Sequence, residues 1–294
     1  MKAEAMSFFE WQIRFPSDEA CAQFLAERRW PNGFICPQCG HDKAHLITLR
    51  SLYPCAGCRH PVSVTAGTIF HSTKVPLRKW FWAIDWISSD KGGISTLRLS
   101  KLLAISWPTA HRMLRKWRLA MGHRDSLYWL SEWWELDDAL VGGQRAGKRG
   151  RGAERKPPIW VACEDRGERA GFLAMEAVSQ VTHPHVADFA QRRLRPQHTV
   201  FTDALPALGR LQDCHIHCPR VTPPEQASQW LPWVHVAIAN LKRFILGTDH
   251  GVSKAYWQAY LNEFYYRFNR RFWGPQLPSR LLNLCVDHAP IPLS

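Results

Sequence analysis

The segment EWWELDDALVGG, residues 132–143, decides the fold of the second half of this 294-residue chain. Apolar residues alternate over a short run that ends in a glycine pair, and this pattern predicts a β-strand. Asp137 and Asp138 lie in the middle of the strand, where carboxylates are unfavourable and costly to bury without a partner. The strand therefore needs a metal ion, a cationic partner or an exposed edge at these positions.

The residues after this strand predict an α/β domain. In chain order they are the strands IWVACED (159–165) and AGFLAMEAV (170–178), the helix PHVADFAQRRL (184–194) and the strand HTVFTDALPAL (198–208). The last strand ends at Asp203, and functional side chains collect where the strands of an α/β domain end. An aspartate at such a position can alternatively cap a turn or a helix.

A helix that begins near Pro232 supplies further candidates. His235 and Lys242 are seven residues apart, so they share one face of this helix, while Asn240 lies off that face. A lone histidine on a helix can alternatively be a structural residue. A catalytic role for His235 therefore depends on its meeting the two candidate aspartates.

The charge balance favours a nucleic-acid partner. Lys and Arg number 38 against 25 Asp and Glu, and the resulting net charge of +13 attracts polyanions. A glycine-rich basic run suited to phosphates follows the first strand and contains Arg145, Lys148, Arg149 and Arg151. Such a run can alternatively be a solvated surface. Charges interrupt every apolar stretch well before it reaches about 18 residues, so we expect no membrane partner and a cytoplasmic, nucleoid-associated protein.

Four cysteines predict a structural zinc site. Cys36 and Cys39 form one Cys-x-x-Cys pair and Cys55 and Cys58 the other, with fifteen residues between the pairs. In a zinc ribbon with this spacing, four thiolates meet in a tetrahedron and organise a small domain, here residues 31–70. A redox-active thiol pair is the alternative, but one Cys-x-x-Cys would suffice for it, and no thioredoxin-like βαβ pattern surrounds these cysteines.

Residues 71–125 are expected to form a helical domain. Its first helix has a buried face of Leu77, Trp80, Phe81, Ile84 and Ile87. A second helix, 95–104, is expected to bury Leu97, Leu99, Leu102 and Leu103, and a short turn leads to a third helix with Pro108 in its first turn. The third helix carries the basic candidates for DNA contact, His111, Arg112, Arg115 and Lys116. This arrangement predicts a helix-turn-helix, although a helical hairpin with a solvated basic face has the same pattern.

Taken together, these segments resemble the DDE-type insertion-sequence transposases that carry an N-terminal transposase zinc ribbon ahead of an RNase H-like, ISXO2-like catalytic domain. The resemblance extends over nearly the whole chain. It is carried by the ribbon with VTAGTIFHSTKVPLRKWFWAI (64–84), ELDDALVGG (135–143), the TD at 202–203 and NLKRFILGTDHGVSKAYWQAYLNEFYYRFNRR (240–271). The last motif is the most specific of the four.

The resemblance implies that Asp137 and Asp203 are the first two catalytic aspartates. At the third position, seven residues before Lys242, His235 replaces the family's usual glutamate, and Asn240 is the other polar candidate. An imidazole or an amide can coordinate a divalent ion but adds no negative charge. We therefore expect weaker metal affinity than three carboxylates would give.

The implied chemistry is two-metal phosphoryl transfer, with Mg²⁺ or Mn²⁺ held by the two aspartates. Hydrolysis would free a 3′ end of the element, and that end would then attack a phosphodiester of target DNA. Lys242 would lie beside the scissile phosphate. The residues implied further along the DNA path are Arg243, Arg267, Arg270 and Arg271.

The implied partner is double-stranded DNA, both the terminal inverted repeats and the target, bound by a homodimer or a higher oligomer in a prokaryotic cell. Two other functions stay open. One is a domesticated DNA-binding regulator with an inactive nuclease centre, and the other is a structure-selective RNase H-like nuclease without strand transfer. The expected fold is multidomain α+β. Its segments are an N-terminal helical segment (1–30), the zinc ribbon (31–70), a helix-turn-helix domain (71–125), an RNase H-like α/β catalytic domain (130–275) and a C-terminal tail (276–294).

Overall fold

The computed structural model describes residues 5–45, 52–130, 133–141, 158–223, 225–248 and 252–288. They cluster into two units. The first unit contains the residues up to Ala120 together with those from Phe272 onward, and the second unit is Met121–Arg271. Within the described ranges, no helix is both long and apolar enough to span a membrane.

The strands and the helix predicted between residues 132 and 208 form in the predicted order, and further elements precede and follow them. In chain order the helices are α1 (Phe8–Arg14), α2 (Asp18–Arg29), α3 (Leu77–Ser89), α4 (Thr96–Leu103), α5 (Trp107–Ser126), α6 (His183–Arg193), α7 (Ala227–Trp230), α8 (Pro232–Thr248), α9 (Trp257–Phe268) and α10 (Leu277–Asp287). The strands are β1 (Leu52–Pro54), β2 (Pro61–Ser63), β3 (Trp133–Leu140), β4 (Pro158–Asp165), β5 (Ala170–Ala177), β6 (Thr199–Thr202) and β7 (Ile216–Pro219). A 3₁₀ helix at Pro206–Asp213 follows β6.

The first unit is built around α3. All the apolar positions predicted for the core face of this helix are buried, namely Leu77, Trp80, Phe81, Ile84 and Ile87. α1 is held to α3 by the Trp11 indole, whose Nε1 donates to the carbonyl oxygen of Phe81 at 3.0 Å. Buried aromatic side chains remove about 150–250 Å² each from water, so this cluster contributes much of the unit's hydrophobic free energy.

The expected C-terminal tail contains a helix of the first unit. α10 buries Leu281 and Cys285 and packs against α3. The carbonyl oxygen of Cys285 accepts a hydrogen bond from the amide of Ile69 at 3.0 Å. Apolar residues recur along LPSRLLNLCVD at helical spacing, with Pro278 in the first turn, and this pattern explains why the segment folds as a helix.

The predicted pair of helices joined by a tight turn forms as α4 and α5. Ser95 caps α4, because its Oγ accepts a hydrogen bond from the amide of Arg98 at 3.2 Å. Ala104 ends the helix in the left-handed conformation, at a φ of 46°. The chain then turns directly into α5, which has Pro108 in its first turn.

The predicted buried face of α4 is only half correct. Leu99 and Leu103 are buried, but Leu97 and Leu102 are 55% and 47% exposed. The inward face instead continues through Thr96 and Ser100, which lie at helical spacing from the two buried leucines. A helix of eight residues with leucines on two sides does not indicate from its sequence which side packs inward.

We expect the buried Asp85 to make the stability of the first unit depend on pH. This carboxyl group is buried on α3, and burial raises its pKa to about 6, against about 3.9 in an unfolded chain. The native state therefore binds the proton more tightly, and the free energy of unfolding falls as the pH rises from about 4 to about 6. We expect Asp85→Asn to increase the free energy of unfolding at pH 7 by up to about 3 kcal/mol and to change it little below about pH 4.

Urea unfolding at the two pH values measures this difference. Asp42→Asn, at an exposed position of the same unit, is the control and should have little effect at either pH. A stability of Asp85→Asn equal to that of the wild type at pH 7 would contradict the prediction.

The second unit contains a five-stranded mixed sheet with the strand order β5-β4-β3-β6-β7. β3 pairs antiparallel with β4, and β4 pairs antiparallel with β5. On its other side β3 pairs parallel with β6, which pairs parallel with β7. The strand that carries Asp137 is therefore the centre of the sheet.

Helices cover both faces of this sheet. α8 and α9 pack on one face in a core that includes Ala139, Val161, Met175, Leu241 and Leu261. α6 and the 3₁₀ helix pack on the other face in a core that includes Trp134, Leu136, Trp160, Phe189 and Val200. Because side chains alternate along a strand, Glu135 and Asp137 face the same side as Ala139, toward α8.

Arg270 lies inside the second unit. It is buried, and its guanidinium donates to Asp125 through two hydrogen bonds, at 2.7 Å to Oδ1 and 3.1 Å to Oδ2. Asp125 also accepts from Nδ2 of Asn269 at 2.9 Å. The prediction that Arg270 contacts DNA is wrong, because its side chain is buried and its charge is paired with Asp125.

Removal of Asp125 is expected to leave the Arg270 charge buried without its partner. Loss of one member of a buried ion pair costs about 3–5 kcal/mol, so Asp125→Ala should lower the free energy of urea unfolding by that amount. Asp188→Ala is the control, since it removes an exposed ion pair with Arg192, 2.8 Å long, on α6. It should cost less than about 1 kcal/mol, and an equally small cost at Asp125 would contradict the structural role of the buried pair.

Candidate functional site

The parallel pairing of β3 with β6 indicates that Asp137 and Asp203 lie near each other, just beyond the last paired residues of the two strands. β3 and β6 are parallel partners in which Glu135 pairs with Phe201. These two residues are 66 positions apart in the chain, as are the two aspartates. Asp137 and Asp203 therefore occupy neighbouring positions where β6 ends, two residues beyond that pair.

Asp203 forms the turn that ends β6. Its Oδ1 accepts a hydrogen bond from the amide of Leu205 at 3.1 Å, and Ala204 between them is left-handed, with a φ of 62°. This Asx turn occupies one carboxylate oxygen and fixes the direction of the other. The turn is held from outside by Trp230, whose Nε1 donates to the carbonyl oxygen of Thr202 at 2.8 Å.

His235 meets Asp137 across the contact between α8 and β3. Its Nε2 lies 3.5 Å from Oδ2 of Asp137, and the two side chains are 35% and 14% exposed. Burial lowers the pKa of His235; the charge of Asp203 raises this pKa, and that of Lys242 lowers it further. The net fall keeps the imidazole neutral at neutral pH, so its nitrogen can act as a metal ligand. The effect of Asp203 shows that it is within electrostatic reach of the same ring.

Lys242 and Arg243 are exposed on α8. They follow His235 by about two helical turns, so their charges lie along the same stripe of the helix. Asn240, five residues after His235, projects from a different side and is half-buried. Of these two candidates, His235 is therefore the one with a contact to Asp137 among the described residues.

Glu135 is a residue of this site that the sequence analysis missed. It is 1% exposed, and its Oε2 accepts a hydrogen bond from the amide of Val234 at 2.6 Å, in the first turn of α8. Within the described residues, its other oxygen, Oε1, is buried and has no hydrogen-bond partner. Burial raises the pKa of Glu135 to about 7, although the hydrogen bond from Val234 acts in the opposite sense. Its position two residues before Asp137 was the available signal, since it places both carboxyls on one face of the strand.

The four predicted thiols converge on one point. The Sγ atoms of Cys36, Cys39, Cys55 and Cys58 all lie within 4.8 Å of one another. Cys36 and Cys58 are 3.6 Å apart at sulfur, and Cys39 and Cys55 are 3.5 Å apart. A tetrahedral zinc ion with Zn–S bonds of about 2.3 Å requires sulfurs about 3.8 Å apart. The quartet therefore has the donors and the spacing of a structural zinc site.

The possible ligand atoms of Asp137, Asp203 and His235 lie farther apart than the sulfurs of the cysteine quartet. Among the described residues, only the quartet brings the ligand atoms of three or more His, Cys, Asp or Glu side chains within 4.8 Å of one another. A divalent ion bound at the centre would thus draw Asp137, Asp203 and His235 closer together. The CHIHC run (214–218) forms no such cluster, and Nε2 of its His217 lies 2.9 Å from Oγ1 of Thr202.

The basic candidates on α5 differ in their exposure. Arg112 is exposed, and the ring of His111 stacks on that of the exposed Trp107, with centroids 5.0 Å apart. Lys116 instead turns inward, where its Nζ donates to the carbonyl oxygen of Ile69 at 2.9 Å. Arg115 is half-buried on the same helix. Outside the described residues lie Arg145, Lys148, Arg149 and Arg151.

The arginines at the end of α9 are partly engaged within the protein. Arg267 lies 3.5 Å from Oε1 of the buried Glu263. Arg271 is exposed, and its Nη1 donates to the carbonyl oxygen of Phe268 at 2.8 Å. Its guanidinium also donates to the carbonyl oxygens of Gly171 and Ala170. The charge of Arg271 is therefore engaged within the protein, whereas Arg243 is exposed on α8.

Two separate parts of the chain match known domain families. Residues 129–269 match the ISXO2-like transposase domain, and residues 16–61 match the transposase zinc-ribbon domain. The chain is 27% identical, over 277 residues, to an uncharacterized protein in transposable element ISH50 of Halobacterium salinarum, an alignment that covers 86% of this chain and 91% of that protein. The first match includes Asp137, Asp203 and His235, and the second includes all four cysteines of the quartet.

Proposed function

Because this chain belongs to the family in which a transposase zinc-ribbon domain precedes an ISXO2-like transposase domain, we propose that it cuts the ends of its own insertion sequence and joins them to target DNA. The observation that carries the proposal is the parallel pairing of β3, which contains Asp137, with β6, which ends directly before Asp203. His235 lies 3.5 Å from Asp137 beside these strands. The relative in ISH50, a protein of a transposable element, supports it.

The proposed catalytic domain is RNase H-like. β3, β4 and β5 pair antiparallel and form one half of the sheet. β6 and β7 form the other half, in which β6 pairs parallel with β3 and β7 pairs parallel with β6. Helices on both faces of this sheet agree with such a fold. The first strand is then central and its parallel neighbour ends beside it, where the candidate carboxylates lie.

Asp137, Asp203 and His235 are the residues that would hold Mg²⁺ or Mn²⁺. Carboxylate oxygens suit these ions, and a neutral imidazole adds a ligand without adding charge. Bound divalent ions would lower the pKa of an attacking water and stabilise negative charge on the leaving oxygen. With two carboxylates in place of three, we expect the centre to need a higher free metal concentration than a three-carboxylate centre would.

The side chains around this centre have distinct parts in the proposed reaction. The Asx turn orients Asp203, because one of its oxygens is already bound to the main chain. His235 stays neutral and maintains its contact with Asp137. Lys242 and Arg243 present positive charge along α8, where they can bind the phosphates of a DNA strand that enters the centre.

The first unit is proposed to bind the inverted-repeat ends of the element. α4 and α5 have the lengths and the tight turn of a helix-turn-helix, and Arg112 is exposed on the second of these helices. The zinc ribbon adds a further small DNA-binding or docking module. Because both ends of an element must be held together for productive transfer, we propose a homodimer or a higher oligomer on DNA.

A cleavage and joining assay tests the proposal. Purified protein is mixed with Mg²⁺ or Mn²⁺ and a duplex copied from the DNA that flanks its reading frame, and a duplex of scrambled sequence serves as the control. We expect nicked and joined strands, resolved on a denaturing gel, from the flanking duplex only. Binding without nicking in either metal would favour the DNA-binding regulator, and nicking without joining would favour a nuclease that lacks strand transfer.

A further inference from the structure

We propose that Glu135 is the positioning residue that fixes α8 to β3 and thereby sets His235 against Asp137. This role rests on the proposed function in so far as that pair of side chains belongs to the catalytic centre. Glu135 itself does not need to touch DNA or metal, since it acts through the main chain of the helix.

The contact joins the strand that carries Asp137 to the helical turn that carries His235. Oε2 of Glu135 accepts the amide of Val234 at 2.6 Å, and Val234 immediately precedes His235. Glu135 also lies two residues before Asp137, on the same face of β3. The short hydrogen bond from Val234 to Glu135 therefore lies next to His235 on α8 and close to Asp137 on β3. Nε2 of His235 and Oδ2 of Asp137 are 3.5 Å apart.

Burial strengthens this contact. Both Glu135 and Val234 are almost completely buried, so water does not compete for the donor or the acceptor. Amides in the first turn of a helix have no partner within the helix, and a buried amide without a partner is destabilising. Loss of the Glu135 acceptor should therefore make the first turn of α8 move until the Val234 amide finds another partner.

A second contact holds the same turn less directly. Nε1 of Trp233 donates to Oδ1 of Asp165, at the end of β4, at 3.1 Å. This contact runs through a side chain with its own rotational freedom, whereas Glu135 binds the main chain of the helix. The Trp233 contact can keep α8 near the sheet without fixing the position of His235.

Two substitutions separate a hydrogen-bonding role from a packing role. Glu135→Gln keeps the size of the side chain and an acceptor oxygen, while Glu135→Met fills a similar volume without an acceptor of comparable strength. Glu164 provides the matched control, because it is also a buried glutamate, and its Oε2 accepts the amide of Phe172 at 2.9 Å. Glu164 lies opposite Trp134, on the face of the sheet away from α8.

The position of His235 is measured by nuclear magnetic resonance of protein with isotope-labelled histidine, with His235→Gln used to assign the ring signals. We expect these signals to stay at their wild-type positions in Glu135→Gln and to move in Glu135→Met. The Mn²⁺ affinity, measured by titration calorimetry, should fall by about 10- to 100-fold in Glu135→Met, the range typical of residues that orient a metal ligand. Glu135→Gln should retain it, and neither Glu164→Gln nor Glu164→Met should move the His235 signals.

Unchanged His235 signals in Glu135→Met would overturn the positioning role. If the His235 signals move in Glu135→Met but the wild type binds no Mn²⁺, the positioning role is supported and the proposed metal-dependent function is contradicted. The experiment therefore distinguishes failure of the positioning role from failure of the proposed function. If Glu135→Met does not fold, Glu135→Asp decides the question, because it keeps the charge and withdraws the acceptor by about 1.5 Å. Wild-type His235 signals in Glu135→Asp would then overturn the proposal.

Discussion

Replacement of Asp137 or Asp203 by Asn is expected to abolish DNA cleavage and strand transfer and to leave DNA binding unchanged. Each asparagine keeps the shape of the side chain but removes a negative charge that would hold a divalent ion. A loss of about 4 kcal/mol of transition-state stabilisation lowers a rate by about 10³-fold, which is the minimum that we expect. Single-turnover nicking and gel-shift binding of the same duplex measure the two properties separately.

Asp138→Asn is the matched control for these substitutions. Asp138 neighbours Asp137 on β3, but successive side chains of a strand point to opposite faces, so it is directed away from α8. We expect this variant to lose less than about tenfold in rate. Cleavage at the wild-type rate by Asp203→Asn, or an equal loss in all three variants, would contradict a centre built on the pairing of β3 with β6.

Loss of zinc is expected to unfold the ribbon and to eliminate binding to the ends of the element. The sulfurs of the quartet lie within 4.8 Å of one another, and the thiolates would repel each other without an ion between them. For structural zinc sites the binding free energy, about 10–16 kcal/mol in zinc-finger peptides, is also folding free energy. Cys55→Ser should therefore lose its zinc, measured by plasma mass spectrometry, and become sensitive to protease within residues 31–70.

Cys214→Ser provides the control for the zinc prediction. Cys214 is exposed and belongs to the CHIHC run, outside the quartet, so its replacement should leave the zinc content and the protease pattern unchanged. A redox role for the paired thiols predicts a different result. Wild-type protein that is free of zinc, and whose ribbon resists protease only after oxidation, would contradict the metal site.

The local elements of the fold could be predicted because their apolar residues repeat at the period of a strand or a helix. β3 and α3 are the clearest cases, since each has one face of large apolar side chains. Prediction failed where packing with distant residues decides the outcome. Leu97 and Leu102 are exposed because α4 packs through its other side, and α10 forms in what the sequence analysis assigned to a tail.

The candidate centre could be predicted in part. The residue types and positions of Asp137, Asp203 and His235 made them candidates, but their proximity depends on the register of β3 with β6, which no local pattern specifies. Glu135 was missed because its role depends on a helix that begins about a hundred residues later. Burial likewise decided the outcome for Arg270, which the sequence presents as one more charge in a basic run.

Glu135 and Phe201 are 66 positions apart in the chain, as are Asp137 and Asp203. This shared spacing constrains how the chain can change during evolution. Insertions and deletions in the connections between β3 and β6 leave the ladder intact, because pairing depends on the strands alone. A single residue lost within Thr199–Asp203 would turn the second carboxylate to the opposite face of the sheet. Among related chains that keep both aspartates, length differences should therefore occur in the connections between β3 and β6 and be absent from the five residues Thr199–Asp203.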